Sequence, residues 1–456
     1  MTDQEKYSEV KKKLDSVGPG FCLAKWNQVT IHLGVGQNHS CHHPGPRPIV
    51  ESEVLRNPTH LHNTSYKKRR WQEMLEGKRP VECEYCWKIE DNTSEFSDRV
   101  FKSSEPWAWP TLDEIKNSHW SQDYYPRYVE LSFSNRCNYK CLYCNPDCSS
   151  TWNLEAKKFG PIKLENYTID GPQGEKEEAR CQNIEQNPLV KAFWKWWPDL
   201  AKHIHSFRLT GGEPLLVPES YQIMDYIIEH GSELNNFRFF GINTNLGMAD
   251  EQFEKFLCKF KQISEIIPEA VIFTSIESGK RESEYVRYGL NYDRFWKRVE
   301  RLVREIPKLT LTIMATYNVL SVSSYIDTVK RVYELKEKYH SSNRVYGTAV
   351  MLDTSYIRFP TFLDIRLGSR ESMKFLDQCI EYIKGRKQDW TTTPAVAGFT
   401  ELEIEKLSRI KEYWENSTPT FDIAKERKNL KTFLTTIDNR RGTDYRSTFP
   451  ELSNIL

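Results

Sequence analysis

Short apolar runs alternate with amphipathic stretches through the middle of the chain. Tyr128–Ser134 (YVELSFS) reads as a strand, and Ser206–Leu216 (SFRLTGGEPLL) starts as one and breaks at Gly211-Gly212. Asn236–Asn245, Ala270–Ile276, Leu309–Thr316 and Val345–Leu352 are four further strand candidates. Each is short, β-branched or aromatic, and followed by helix-like sequence. In the stretch Ala249–Ile263, the residues Phe253, Phe256, Leu257, Phe260 and Ile263 fall on one helical face. Six strands alternating with helices predict an α/β fold with a parallel sheet, open or rolled into a partial barrel. Sites are then expected at the C-terminal strand ends.

Three zones frame this pattern. Residues 1–105 hold four cysteines, many histidines and few clean strands. Residues 125–365 carry the sheet pattern, and residues 366–456 are mostly charged helical sequence. Within 160–190, the polar stretch Gly171–Arg180 (GPQGEKEEAR) reads as an insertion: a disordered surface loop, or a lid over the site.

Composition narrows the classes. With 456 residues, 38% hydrophobic and 28% charged, the chain can bury a sizeable core and should form two or three units. Lys+Arg number 64 and Asp+Glu 63, so the net charge of +1 excludes a globally basic nucleic-acid coat and an acidic solvating chain. No run reaches the roughly 18–20 apolar residues that span a bilayer. The polar start Met1–Asp15 has no apolar segment of a secretory signal, so a cytoplasmic chain with no membrane partner is expected. Eleven cysteines in a reducing compartment then point to metal or redox chemistry rather than disulfides.

Directly after the first strand comes Asn135–Cys148 (NRCNYKCLYCNPDC), in which Cys137, Cys141 and Cys144 follow a C-x3-C-x2-C spacing. Three thiolates on one loop hold three corners of a cube-shaped [4Fe–4S] cluster and leave one iron open to a non-protein ligand. A share of a zinc site is the alternative for the spacing alone. The motif and its place at a strand end resemble the signature of the radical S-adenosylmethionine (radical SAM) superfamily, with Tyr143 at the aromatic position before the last cysteine. The resemblance implies a partial (β/α)6 TIM-like barrel and a SAM-binding [4Fe–4S] cluster. It implies reductive cleavage of SAM to a 5'-deoxyadenosyl radical that abstracts hydrogen from a substrate, as an oxidoreductase or transferase. An electron donor such as a flavodoxin or ferredoxin is an expected partner.

Further segments fit in order. LTGGEPLL places Gly211, Gly212 and Glu213 as the GGE motif does, and the resemblance has Glu213 accept from the SAM amino group. A strand-to-helix turn with a capping Glu reads the same residues without SAM. Ile242–Gly247 (INTNLG) resembles a Thr-Asn-Gly turn with the glycine one place late, and Asn243, Thr244 and Asn245 would bind the ribose or methionine part of SAM. An Asn-rich turn is the plainer reading. Ser275–Arg287 (SIESGKRESEYVR) resembles the segment in which Ser275 and Arg287 bind the SAM carboxylate and Glu277 meets SAM or substrate. A salt-bridged helix face also accounts for Arg287. Glu130 is either a substrate-facing carboxylate inside the barrel or an exposed strand position.

Cys22, Cys41, Cys83 and Cys86 form a second set, the last two as C-x2-C. They resemble a SPASM/twitch-type auxiliary iron–sulfur domain, here preceding the barrel where most relatives have it following. The resemblance implies an auxiliary cluster with four cysteine ligands. Structural zinc is the alternative, since His39, His42 and His43 flank Cys41. Of the other cysteines, Cys148 reads as a spare thiol with a cluster ligand as the alternative, Cys258 as incidental, Cys181 in the insertion as incidental with a substrate-side thiol as the alternative, and Cys379 as core on a stripe with Leu376, Ile380 and Ile383. The basic run Tyr66–Trp71 (YKKRRW) reads as a solvated face, and the aromatic run Phe193–Trp197 (FWKWW) as packing. Asn439–Arg446 (NRRGTDYR) would close one end of the barrel or meet the N-terminal domain.

The substrate class that the auxiliary domain implies is a peptide or protein side chain, with a sugar, nucleotide or small metabolite next. A non-catalytic, metal-stapled nucleic-acid-binding protein is the alternative from another class. It needs neither Glu213 after two glycines nor an open three-cysteine loop.

Overall fold

The computed structural model describes residues 2–341, 343–389 and 397–456. It is a mixed α/β structure whose longer strands pair mostly in parallel. Packing divides the chain into two compact units, Met1–Ser134 with Gly174–Pro214 and Asp225–Gly241, and Asn135–Gln173 with Leu215–Met224 and Ile242–Leu456. Each unit draws on more than one of the three zones read from the sequence. Among the described residues no helix is long and apolar enough to cross a membrane.

In the first unit, the strand Gln28–His32 pairs in parallel with Tyr128–Ser132, which pairs in parallel with Ser206–Thr210. The N-terminal zone, read as poor in strands, therefore supplies one to the main sheet. Its buried Gln28 and Thr30 broke the apolar run that would have announced it. Register aligns Thr30, Glu130 and Arg208. The opposite parity, Val29, Ile31, Val129, Leu131, Phe207 and Leu209, is entirely buried. Parallel strands are usually apolar on both faces, so one polar face sets this sheet apart. Phe193 and Trp197, on the helix Pro188–His203, pack against Phe133 and Phe207 at ring separations of 5.5 and 5.0 Å, so the aromatic run is core.

A separate core in this unit gathers Phe21, Leu23, Trp26, Trp71, Met74, Trp87 and Val100. Trp26 stacks on Trp71 at 5.5 Å. Here the solvated reading of YKKRRW needs correction. The helix Ser65–Leu75 turns Lys67, Trp71 and Met74 inward at helical spacing, and Lys67 Nζ donates to the Gln28 carbonyl at 3.1 Å. Lys68 and Arg70 meet Asp123 and Glu73 at the surface.

The second unit carries parallel pairs of Glu269–Ser275 with Thr310–Tyr317 and of Thr310–Tyr317 with Val350–Tyr356. The strand Phe239–Thr244 has its first three residues in the first unit and its last three in the second. The last strand starts five residues later than its sequence suggests. Buried Arg344 donates to the carbonyls of Leu309 and Val303 at 2.6 and 2.9 Å, which holds the preceding segment as a turn. The helix Asp250–Ile266 buries the five apolar residues its periodicity picked out. The helix Ile423–Arg441 packs Leu430, Phe433, Leu434 and Ile437 into a core shared with Leu142, Trp152 and Phe362.

The expected loop or lid over 160–190 contains regular elements instead. Ile162–Lys163 and Thr168–Ile169 form a hairpin, and Glu175–Gln182 is a helix. Buried Ile162 and Leu164 anchor the former, and buried Cys181 with the Arg180–Glu51 ion pair the latter.

Candidate active site

Cys137, Cys141 and Cys144 lie on one loop of the second unit, all half-buried and unbridged. The loop is fixed through its backbone. Lys140–Cys141 pairs antiparallel with Arg287–Tyr288, placing Cys141 opposite Arg287. The Trp152 indole donates to the Cys141 carbonyl at 2.8 Å, and Arg441 Nη1 to that of Lys140 at 3.0 Å. Ser149 and Thr151 hydroxyls both donate to the Tyr139 carbonyl at 2.8 Å. Four side chains thus hold three successive carbonyls, which presets the sulfurs before any metal arrives.

Two side chains reach the sulfurs themselves. Asn245 Nδ2 lies 3.8 Å from Cys137 Sγ, and Arg287 Nη1 3.8 Å from Cys141 Sγ. The Tyr139 amide adds a contact of 3.5 Å to Cys137 Sγ. Burial holds the Cys141 thiol above its ordinary range, with Arg287 pulling the other way. A hydrogen bond with Cys148 raises Cys144 further and lowers Cys148, which is itself exposed. Metal binding at this loop must therefore displace protons.

Glu277 is wholly buried, with Arg287 beside it. Arg287 Nε and Nη2 meet Glu277 Oε2 at 2.9 and 2.8 Å, and the Tyr143 hydroxyl donates to Oε1 at 2.8 Å. Burial pushes the Tyr143 hydroxyl well above its ordinary range. Thus Tyr143, Glu277 and Arg287 meet one another. Ser275 ends its strand half-buried.

The Thr-Asn-Leu-Gly turn shows why its glycine is late. Leu246 itself takes the left-handed conformation, at φ 53°. Thr244 Oγ1 accepts from the Leu246 amide at 3.0 Å, and Asn245 Oδ1 from the Gly247 amide at 2.7 Å. A Cβ on Gly247 would lie 2.3 Å from the Tyr139 hydroxyl, so the position must be bare for the cysteine loop to pack. Asn243 Nδ2 faces Met314 Sδ at 3.8 Å.

Gly211, Gly212 and Glu213 belong to the first unit. Gly211 sits at φ 122°, and a Cβ there would lie 2.6 Å from Ser132 Oγ. Gly212 donates its amide to the Ser134 carbonyl at 3.2 Å, and Glu213 is fully buried.

Cys22, Cys41, Cys83 and Cys86 line one cavity of the first unit, with Lys25, Arg99 and Lys102 around it. Burial pushes the Cys83 and Cys86 thiols up to about 12. His43 is engaged with Asp98 at 2.7 Å, and His39 Nδ1 lies 2.6 Å from the Cys41 carbonyl. Among the described residues no group of three or more His, Cys, Asp or Glu is arranged around a single metal ion. Cys379 is buried on its stripe and Cys258 is exposed.

Sequence reading missed Trp152 and Glu155, and it met Arg441 only within the basic turn-like segment Asn439–Arg446. Glu155 carries no local signal, and Arg441 lies 301 residues from the Lys140 carbonyl it holds.

No family model matches the chain, and no curated protein matches it. Among solved structures, it is similar to TYW1 with a lysine-pyruvate adduct bound, at 12% identity and a TM-score of 0.25, over 54% of this chain and 70% of that one. It is also similar to Streptococcus suis SuiB bound to the precursor peptide SuiA, at 12% identity and a TM-score of 0.35, over 87% of this chain and 78% of that one.

Proposed function

We propose that this chain is a radical SAM enzyme acting on a peptide or protein side chain. The observation that carries the reading is the three-cysteine loop with its backbone pinned and N–H donors aimed at two of its sulfurs. Such donors suit thiolates that hold an iron–sulfur cluster, and the residues present fit the group. Cys137, Cys141 and Cys144 would hold a [4Fe–4S] cluster. When bound, the cluster and SAM supply one-electron cleavage of the sulfonium to a 5'-deoxyadenosyl radical that abstracts hydrogen.

The chain's own residues bind and position. Gly211 and Gly212 let backbone approach a ligand, and Glu213 offers a carboxylate to an amino group. Asn243, Thr244, Asn245 and Ser275 offer polar contacts at strand ends, where such sites collect. Cys22, Cys41, Cys83 and Cys86 would hold an auxiliary iron–sulfur cluster, since four thiols line one cavity.

The polar sheet face of the first unit supports a substrate rich in hydrogen-bonding groups. Among the described residues, Gln28 Oε1, Thr30 Oγ1 and Glu130 Oε2 on that face are buried without a partner. Each such atom costs about 1–3 kcal/mol unless something meets it. Peptide amides and hydroxyls have that chemistry.

The experiment is anaerobic reconstitution followed by reductant and SAM. The product 5'-deoxyadenosine should appear and vanish in Cys141→Ala; undiminished product in that variant contradicts the reading. Metal analysis of the same sample should give about eight irons per chain, four for each cluster. About four irons with one zinc would place zinc at the N-terminal cysteines.

A further inference from the structure

We propose that Arg287 and Asn245 set the reduction potential of the cluster held by Cys137, Cys141 and Cys144, by donating N–H bonds to two of the three cysteine sulfurs. This rests on the radical SAM reading above. The three nitrogens of Arg287 divide their work. Nε and Nη2 both end on Glu277 Oε2, at 2.9 and 2.8 Å, and Nη1 is left facing Cys141 Sγ at 3.8 Å. The Tyr143 hydroxyl closes the second carboxylate oxygen at 2.8 Å. A guanidinium so held cannot swing to another anion without leaving the wholly buried Glu277 unpaired. The ladder between Lys140–Cys141 and Arg287–Tyr288 fixes the same two residues opposite each other through the backbone.

Asn245 repeats the arrangement at the next sulfur. Its amide nitrogen Nδ2 lies 3.8 Å from Cys137 Sγ and also donates to Asn138 Oδ1 at 2.8 Å, which fixes the amide's orientation. Hydrogen bonds to cluster sulfurs draw electron density from the thiolates and favour the more negative, reduced state. Glu277 offsets the charge of Arg287, so the directed donor matters more than net charge. Arg287 is then a positioning residue for the cluster, where the family resemblance made it a ligand of the SAM carboxylate.

The test is an EPR-monitored redox titration of the reconstituted full chain without SAM. Arg287→Lys keeps a positive charge for Glu277 and loses the planar donor to Cys141. Asn245→Ala removes the donor to Cys137 and leaves the ion pair alone. Each should shift the cluster midpoint to lower potential. Midpoints equal to that of the unsubstituted chain overturn the proposal. So does an unmoved potential in Arg287→Lys joined to tenfold weaker SAM binding, which would make Arg287 the SAM ligand. If Arg287→Lys assembles no cluster, Asn245→Ala decides alone. An unsubstituted chain that assembles no cluster removes the radical SAM reading itself, and this proposal with it.

Discussion

Arg441 and Glu155 form an ion pair, 3.2 Å from Nε to Oε2, with both side chains almost wholly excluded from solvent. Lys140 Nζ joins the same carboxylate at 2.5 Å, and Arg441 also holds the Lys140 carbonyl. The last turn of a C-terminal helix therefore fastens the cysteine loop, which lies in the first third of the chain. Without Arg441 the buried Glu155 carboxylate keeps only Lys140, whose side chain is partly exposed. Arg441→Ala should lower stability by about 2 kcal/mol and reduce the iron retained at the loop. Urea denaturation with iron analysis checks both; an unchanged midpoint with full iron would show that the pair is dispensable.

Gly247→Ala tests the packing of Tyr139 against the Thr-Asn-Leu-Gly turn. The added Cβ would fall 2.3 Å from the Tyr139 hydroxyl and 2.5 Å from its ring, so the cysteine loop must move. Overpacking of this kind costs about 1–3 kcal/mol. The expected result is a lower denaturation midpoint with weaker cluster absorbance. Wild-type values for both would mean that the loop adapts freely.

Cys148 is the nearest rival for a fourth ligand, since it shares a hydrogen bond with Cys144. Its exposure and its place beyond the motif argue for a spare thiol. Cys148→Ala should keep the same iron per chain and the same cluster spectrum. Cys144→Ala should lose the SAM-binding cluster. Iron lost equally from both would make the loop a four-thiolate site.

Asp170 gives a pH signature. Burial raises its carboxyl to about 6, against the pull of Arg440 and Arg441. The folded chain then keeps a proton that the unfolded chain has released above about 4. The contribution of Asp170 to stability should fall as pH rises from about 4 to about 6, by about 3 kcal/mol at most, and the loss should persist above that. Asp170 also has φ 55°, a conformation asparagine tolerates. Asp170→Asn should be more stable than the unsubstituted chain at pH 7 and no more stable at pH 4. Denaturant titrations of the metal-free protein at both pH values check this; equal stability at pH 7 would contradict it.

The sequence exposes what is local. Phe253, Phe256, Leu257, Phe260 and Ile263 show the helix because burial on one face repeats every turn. The three-cysteine spacing and the Gly211-Gly212 break are visible because each sits within a few residues. Hidden were relations made only by folding. Gln28–His32 joins the main sheet across some hundred residues, with polar side chains where strand reading expects apolar ones. Arg287 is visible as a cation near Glu277, yet its third nitrogen meets Cys141 only through pairing across 146 residues. The late glycine of the turn makes sense only when Tyr139 is seen against it.

The most direct measurement is the EPR spectrum of the oxygen-free, reconstituted and reduced protein carrying Ala at Cys22, Cys41, Cys83 and Cys86, recorded with and without SAM. One paramagnetic iron–sulfur signal that changes on adding SAM is the predicted result, since three sulfurs leave an iron for it to bind. A signal that SAM leaves unaltered, or none at all, would contradict a cluster with an open iron on this loop.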